Sequence, residues 1–341
     1  MALLNLRRRW SSGGLPPFDW IQVEVTSLCN ASCVYCPRTA YRQRWHDRHL
    51  GLETYRKLIP SFARTRLVYL QGWGEPLLHP HFFEMARMAK EAGCLVGFTS
   101  NGSFLDEDRI REALGVPVDL IALSLAGTTD RNDLIRKGTS LSQVLGAVDR
   151  IKMAGAKTQG RTPAVHIAYM LLRSNLAEAE AIPQVLKGSA VDQVVISTLD
   201  FVPDRSLDGE TFRRDDPDLA KVEELLSRVK ARGAEIGIHI HHRPLVSVRP
   251  QRSCAENVHK ALFVAADGEV SPCVYLNIPV EGVSYVSAGK EAPYQRLTFG
   301  RTSGEGVEQI WAGREYGRFR AAFASGDPVA ECRDCPKRYS C

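Results

Sequence analysis

No stretch of this 341-residue chain approaches the ~20 consecutive apolar residues that a membrane-spanning helix requires. Near the N-terminus, Arg7-Arg8-Arg9-Trp10 is basic enough to open an export signal, but Ser11-Ser12-Gly13-Gly14-Leu15-Pro16-Pro17 stands where its apolar core would have to be. The chain is therefore expected to be soluble and cytoplasmic, with no membrane partner. Charge of one sign is lacking as well. The 44 Lys and Arg against 39 Asp and Glu leave a formal net charge of +5, too slight to point to nucleic acid. Internal repeats and low-complexity tracts are absent. What stands out against this ordinary background is nine cysteines. In a reducing compartment, clustered cysteines serve as metal ligands or catalytic thiols more often than as disulfides.

From Ile21 to about Val202, short β-like runs alternate with amphipathic helical stretches such as Pro80–Ala92 and Leu141–Ala154. The runs are Ile21–Val25, Leu67–Gln71, Leu95–Thr99, Leu120–Ser124, Ala164–Leu171 and Val194–Leu199. Apolar on both faces and separated by helices, they read as a parallel sheet in an α/β fold, a partial (β/α)6 barrel of TIM type. In such folds ligands gather at the carboxyl ends of the strands. The barrel is expected over residues 18–205, a connecting helix and strand over 206–243, and a small cysteine-rich module over 244–341. Beyond Pro244 the apolar periodicity fades, so this last region is expected to need a metal staple.

Three cysteines, Cys29, Cys33 and Cys36, follow the first strand in a Cys-x3-Cys-x2-Cys loop. A 4Fe-4S cube takes four thiolates, so three leave one iron open to a small molecule. A structural zinc site is the plainer alternative, but zinc wants a fourth ligand, and only His46 or His49 is near in sequence. The spacing, with Tyr35 before the last cysteine, resembles the radical S-adenosylmethionine superfamily, in which the methionine end of the cofactor chelates the open iron. That resemblance implies a 4Fe-4S cluster, S-adenosylmethionine and an electron donor such as flavodoxin or ferredoxin. Gln71-Gly72-Trp73-Gly74-Glu75 resembles the family's Gly-Gly-Glu motif, with Trp73 in place of the usual first glycine. It implies that the Trp73 and Gly74 backbone and the Glu75 carboxylate receive the methionine ammonium. Ser100 and Asn101 after the third strand and Ser124 on the fourth match positions near the ribose and amino-acid part. Arg136 matches an arginine that meets the cofactor carboxylate, a use suited to its fork of donors.

A second group, Cys254, Cys273, Cys332 and Cys335, with Cys341 at the end, resembles the SPASM/twitch extension of some radical enzymes. The full SPASM pattern has seven cysteines and two clusters. Five here imply one auxiliary 4Fe-4S cluster on the first four, with Cys341 a further possible ligand. A zinc ribbon on Cys332 and Cys335 is the alternative. For a base that deprotonates the substrate, Asp267 beside Gly268 and His241, in the run His239, His241, His242, are the candidates. Cys94 reads as a small buried thiol.

The resemblance implies reductive cleavage of the cofactor, hydrogen abstraction and, through the auxiliary cluster, net two-electron oxidation of the substrate. The substrate is expected in peptide or protein maturation; small-molecule dehydrogenation, or modification of a cofactor precursor, is the runner-up. Only about twenty residues precede the first strand, so a leader-peptide-binding domain is not expected within the chain. A non-catalytic protein stapled by metal is the rival from another class, and it would carry zinc.

Overall fold

The computed structural model describes residues 18–157, 162–246 and 249–339. Arg7 to Trp10 and Cys341 lie outside them. Six parallel strands follow in chain order: β1 (Phe18–Val23), β2 (Thr65–Leu70), β3 (Leu95–Ser100), β4 (Leu120–Leu125), β5 (Ala164–Leu171) and β6 (Gln193–Thr198). Each pairs with the next in sequence. These are the six strands read from the sequence, displaced by no more than three residues at either end. Helices cross between them, among them α1 (Phe82–Glu91), α2 (Glu107–Gly115) and α3 (Leu141–Lys157).

The pleat divides each strand between two environments. Ile21, Val68, Val96, Ile121, Ile167 and Val194 face the helices and are fully or almost fully buried in one large core. The alternate residues face the concave side, where Trp20, Leu67, Tyr69 and Leu120 form a smaller cluster. Farther along the same face the side chains turn polar, with Gln22, Glu24 and Thr99 toward the carboxyl ends.

The sheet does not end with six strands. After β6 the chain forms α4 (Leu219–Glu235) and a strand β7 (His239–His242) that pairs parallel to β6. It then returns to the opposite edge, where β8 (Ala261–Val264) pairs parallel to β1 and β9 (Val270–Ser271) pairs antiparallel to β8. The strand order is β9-β8-β1-β2-β3-β4-β5-β6-β7. The cysteine-rich region is thus joined to the barrel by backbone hydrogen bonds, Trp20 opposite Ala261 through Val23 opposite Val264. Its weak periodicity hides a real apolar core: Ala261 to Ala266 are all buried. Helix α5 (Arg314–Ser325) buries Tyr316, Phe319 and Phe323 on one face.

Candidate functional site

The loop after β1 is fixed from three sides. Ser27 N–H donates to the Arg48 carbonyl (2.9 Å), and Glu75 N–H donates to the Leu28 carbonyl (2.7 Å). A short ribbon pairs Ser32–Cys33 with Arg136–Lys137, placing Cys33 opposite Arg136. Cys36 then stands at the N-terminus of a helical turn, Pro37–Ala40. The result brings the three thiols close together, near enough for Cys33 to raise the proton affinity of both Cys29 and Cys36. Burial is the larger cause and pushes the Cys36 thiol up to about 12.

Gly74 is required by close approach. A Cβ there would lie 2.3 Å from the Thr26 carbonyl oxygen and 2.5 Å from that of Leu28. Gly72 is closed in by the Glu24 side chain at 2.3 Å. Neither has a positive φ, so the glycines answer to space and not to turn geometry. Trp73, in the position of the family's first glycine, donates its backbone N–H to Glu24 Oε1 (2.7 Å). Its ring packs edge-on to Tyr275 of the cysteine-rich region.

Glu75 is buried and bonded to three donors. Its Oε1 accepts from Ser100 Oγ (2.9 Å) and Leu77 N–H (3.2 Å), and its Oε2 accepts from Asn101 N–H (2.7 Å). The carboxyl therefore ties the end of β2 to the end of β3, and burial pushes it up to about 7 despite these bonds. Asn101 Nδ2 reaches Asn30 Oδ1 at 2.8 Å and lies 3.9 Å from Cys29 Sγ. Arg136 is buried and donates to the Tyr35 hydroxyl, while its Nε has no partner. A buried guanidinium N–H without an acceptor beside Cys29 and Cys33 is the feature that fits an amino acid carboxylate. Ser124 lies on the concave face with Leu120 and Ala122.

Sequence reading missed Glu24. Its carboxyl is 1% exposed and bridges Trp73 N–H and Ala266 N–H (3.0 Å), and burial pushes it up to about 7. The signal was the alternation Gln22, Glu24 in an otherwise apolar strand. Asp267 sits next along, held by Arg296 at 2.8 and 2.9 Å. Although burial opposes it, Arg296 keeps this carboxyl below the usual carboxylate range, which makes it a weak base. His241 stands exposed on the edge strand β7.

Cys254, Cys273 and the Cys332–Cys335 segment converge from three places in the chain; burial raises all four thiols, and neighbouring cysteines add to this for Cys254, Cys273 and Cys332. Three of them, Cys273, Cys332 and Cys335, line a cavity of about 720 Å³ at the carboxyl end of β6. A second cavity of about 240 Å³ fills the barrel between Gln22, Tyr69, Thr99, His166 and Ser197, closed on one side by Tyr275 and Lys337. Tyr275 borders both. Among the described residues, no three His, Cys, Asp or Glu side chains close on one metal-ion position. Cys94, away from both groups, is buried and donates to the Phe62 carbonyl.

A family model described as the radical SAM superfamily matches residues 23–186, and one described as an iron-sulfur cluster-binding domain, SPASM, matches residues 254–336. The chain is 23% identical over 334 residues to the tungsten-containing aldehyde ferredoxin oxidoreductase cofactor-modifying protein of Pyrococcus furiosus, covering 94% of this chain and 88% of that protein. It is 25% identical over 159 residues to the mycofactocin maturase MftC of Mycobacterium tuberculosis, 46% of this chain and 39% of the maturase. Among solved structures, anSMEcpe with bound AdoMet superposes with a TM-score of 0.67 at 14% identity, over 93% of this chain and 88% of that one. SuiB of Streptococcus suis bound to S-adenosylmethionine gives 0.67 at 13%, over 95% and 72%. At such identities the structures speak for the fold. No helix among the described residues is long and apolar enough to cross a membrane.

Proposed function

Because the chain belongs to the radical S-adenosylmethionine superfamily and carries a SPASM iron-sulfur domain, we propose that it is a maturase that oxidises a peptide, a protein or a cofactor precursor by two electrons. The observation that carries this reading is the placing of two thiol groups around one barrel, three thiols at the end of β1 and four in the region that pairs with its edge. In the proposed assignment Cys29, Cys33 and Cys36 hold the first 4Fe-4S cluster, and Cys254, Cys273, Cys332 and Cys335 an auxiliary one.

S-adenosylmethionine, when bound at such a cluster, supplies a deoxyadenosyl radical that takes a hydrogen atom from substrate. The chain's own residues prepare that site. Arg136 offers its unpartnered Nε to the cofactor carboxylate, and Tyr35 holds the guanidinium in place. Glu75 locks the two loops that carry Gly74 and Asn101. Trp73 packs edge-on against Tyr275, with ring centres 5.8 Å apart, and so joins the barrel to the module. Loss of one hydrogen atom, then of one proton and one electron, completes the oxidation; the four-thiol group is the proposed seat of the electron acceptor. Full-length similarity to a cofactor-modifying protein supports a maturation role.

Anaerobic reconstitution tests the assignment first. About eight irons per chain are expected, four for each cube, and about half should remain when Cys29, Cys33 and Cys36 are all replaced by Ala. Stoichiometric zinc without iron would overturn the reading. With the peptide encoded beside its gene as substrate, mass spectrometry should show a product two hydrogens lighter. Substrate deuterium should pass irreversibly into deoxyadenosine, one per product. A product at the oxidation level of the substrate would reject the electron-acceptor role.

A further inference from the structure

Three of the four cysteines in the second group are followed, two residues later, by side chains that meet at one place. Glu256 follows Cys254, Tyr275 follows Cys273 and Lys337 follows Cys335. Lys337 Nζ lies 2.8 Å from Glu256 Oε1 and 5.0 Å from the centre of the Tyr275 ring. It also lies 3.5 Å from Asp200 Oδ2. Arg243 grips the same Asp200 carboxylate at 2.6 and 3.2 Å. The charges therefore alternate along a chain, Glu256, Lys337, Asp200, Arg243, and every side chain in it is less than a fifth exposed.

Buried charges are costly to desolvate, and here each is offset by an opposite charge beside it. The backbone ties the network to the thiols: Ala255 N–H, next to Cys254, donates to the Lys337 carbonyl (3.0 Å), and the Glu256 and Lys337 N–H groups donate to the Cys254 and Cys335 thiols. An iron-sulfur cube gains one unit of negative charge when it is reduced, and its potential follows nearby charge. A cation fixed in a poorly screened interior favours the reduced form, and an anion disfavours it.

We propose that Lys337 and Glu256 set the reduction potential of the auxiliary cluster by pulling it in opposite directions, Lys337 upward and Glu256 downward. The inference rests on the assignment of Cys254, Cys273, Cys332 and Cys335 to that cluster. It concerns a positioning of charge and not a contact with substrate. Its consequence is that the acceptor potential is trimmed by an internal ion pair.

The experiment is a redox titration of the reconstituted full-length protein, followed by the paramagnetic signal that added S-adenosylmethionine leaves unchanged. Lys337→Met should lower the midpoint and Glu256→Gln should raise it. Each shift should be at least tenfold in the redox equilibrium, which is 59 mV for one electron. The double variant should return toward the parent value, and Lys337→Arg, which keeps the charge, should hold it. Iron is counted in every sample. Single variants that shift the midpoint in the same direction, or that leave it unmoved with both clusters loaded, overturn the proposal. If Lys337→Met loses the second cluster, Lys337→Arg and Glu256→Gln still decide between the two outcomes. A parent protein with only about four irons would instead overturn the assignment beneath it.

Discussion

Glu75 is bonded to Ser100, Leu77 and Asn101, so its replacement does two things at once. Glu75→Ala strips the Ser100 hydroxyl and two buried N–H groups of their acceptor, at about 1–3 kcal/mol for each group left unsatisfied. The expected result is a lower urea midpoint together with weaker cofactor cleavage, while iron at the first site is kept; unchanged stability would show that the carboxyl is not the tie described. Glu24 and Glu75 also give the fold a pH dependence. Burial raises both to about 7 from an ordinary 4.5, so between those values the folded chain holds protons that the unfolded chain has released. Their stabilising share is complete below about 4.5 and is lost as pH rises through 7, on the order of 3 kcal/mol for each group. Urea unfolding of the iron-free chain should show this loss between pH 5 and 8, and Glu24→Gln should flatten it. The cysteines, Glu75 and Arg136 could be singled out in the sequence because their spacing matches a family pattern. Glu24 was not, because one polar residue in a strand reads the same whether it faces a lumen or water. The partners of Asp267 and Lys337 come from segments with which the sequence offers no link.

At the scale of elements, the six barrel strands were legible because burial on both faces leaves unbroken apolar runs between helices. The cysteine-rich region was harder to read, since its elements are short and its buried positions are scattered among charged ones. Two signals were nonetheless present. Ala261-Leu262-Phe263-Val264-Ala265-Ala266 is an apolar run of strand length, and Tyr316, Phe319 and Phe323 fall at helical spacing. Phe319 stands 5.2 Å from the Phe323 ring and 5.5 Å from that of Phe299. Phe319→Ala should cost about 3–5 kcal/mol in urea unfolding and should reduce iron retained at the second site more than at the first. Equal loss from both sites would show that α5 supports the barrel as much as the module. Gly74→Ala is the converse case. With backbone oxygens 2.3 and 2.5 Å from the new carbon, the loop after β1 must move, and iron should fall by about half through loss of the first cube.

At the scale of the whole molecule, the order of strands matters more than their number. β1 lies between β2 and β8, and its partners come from residues 65–70 and 261–264. A chain ended at residue 243 would keep all six barrel strands and both halves of the Cys33–Arg136 ribbon, yet β1 would present a bare, apolar edge. Such edges pair with other chains, so the truncated protein is expected to aggregate on expression; a soluble, monomeric fragment that loads four irons would contradict the continuous sheet. The same order has a consequence for synthesis. The first strand to leave the ribosome waits some 240 residues for its outer neighbour, roughly ten to fifty seconds at ordinary rates of elongation. Throughout that interval the loop bearing Cys29, Cys33 and Cys36 hangs from an unfinished edge, so delivery of iron to the first site is best timed after β8 has paired with β1.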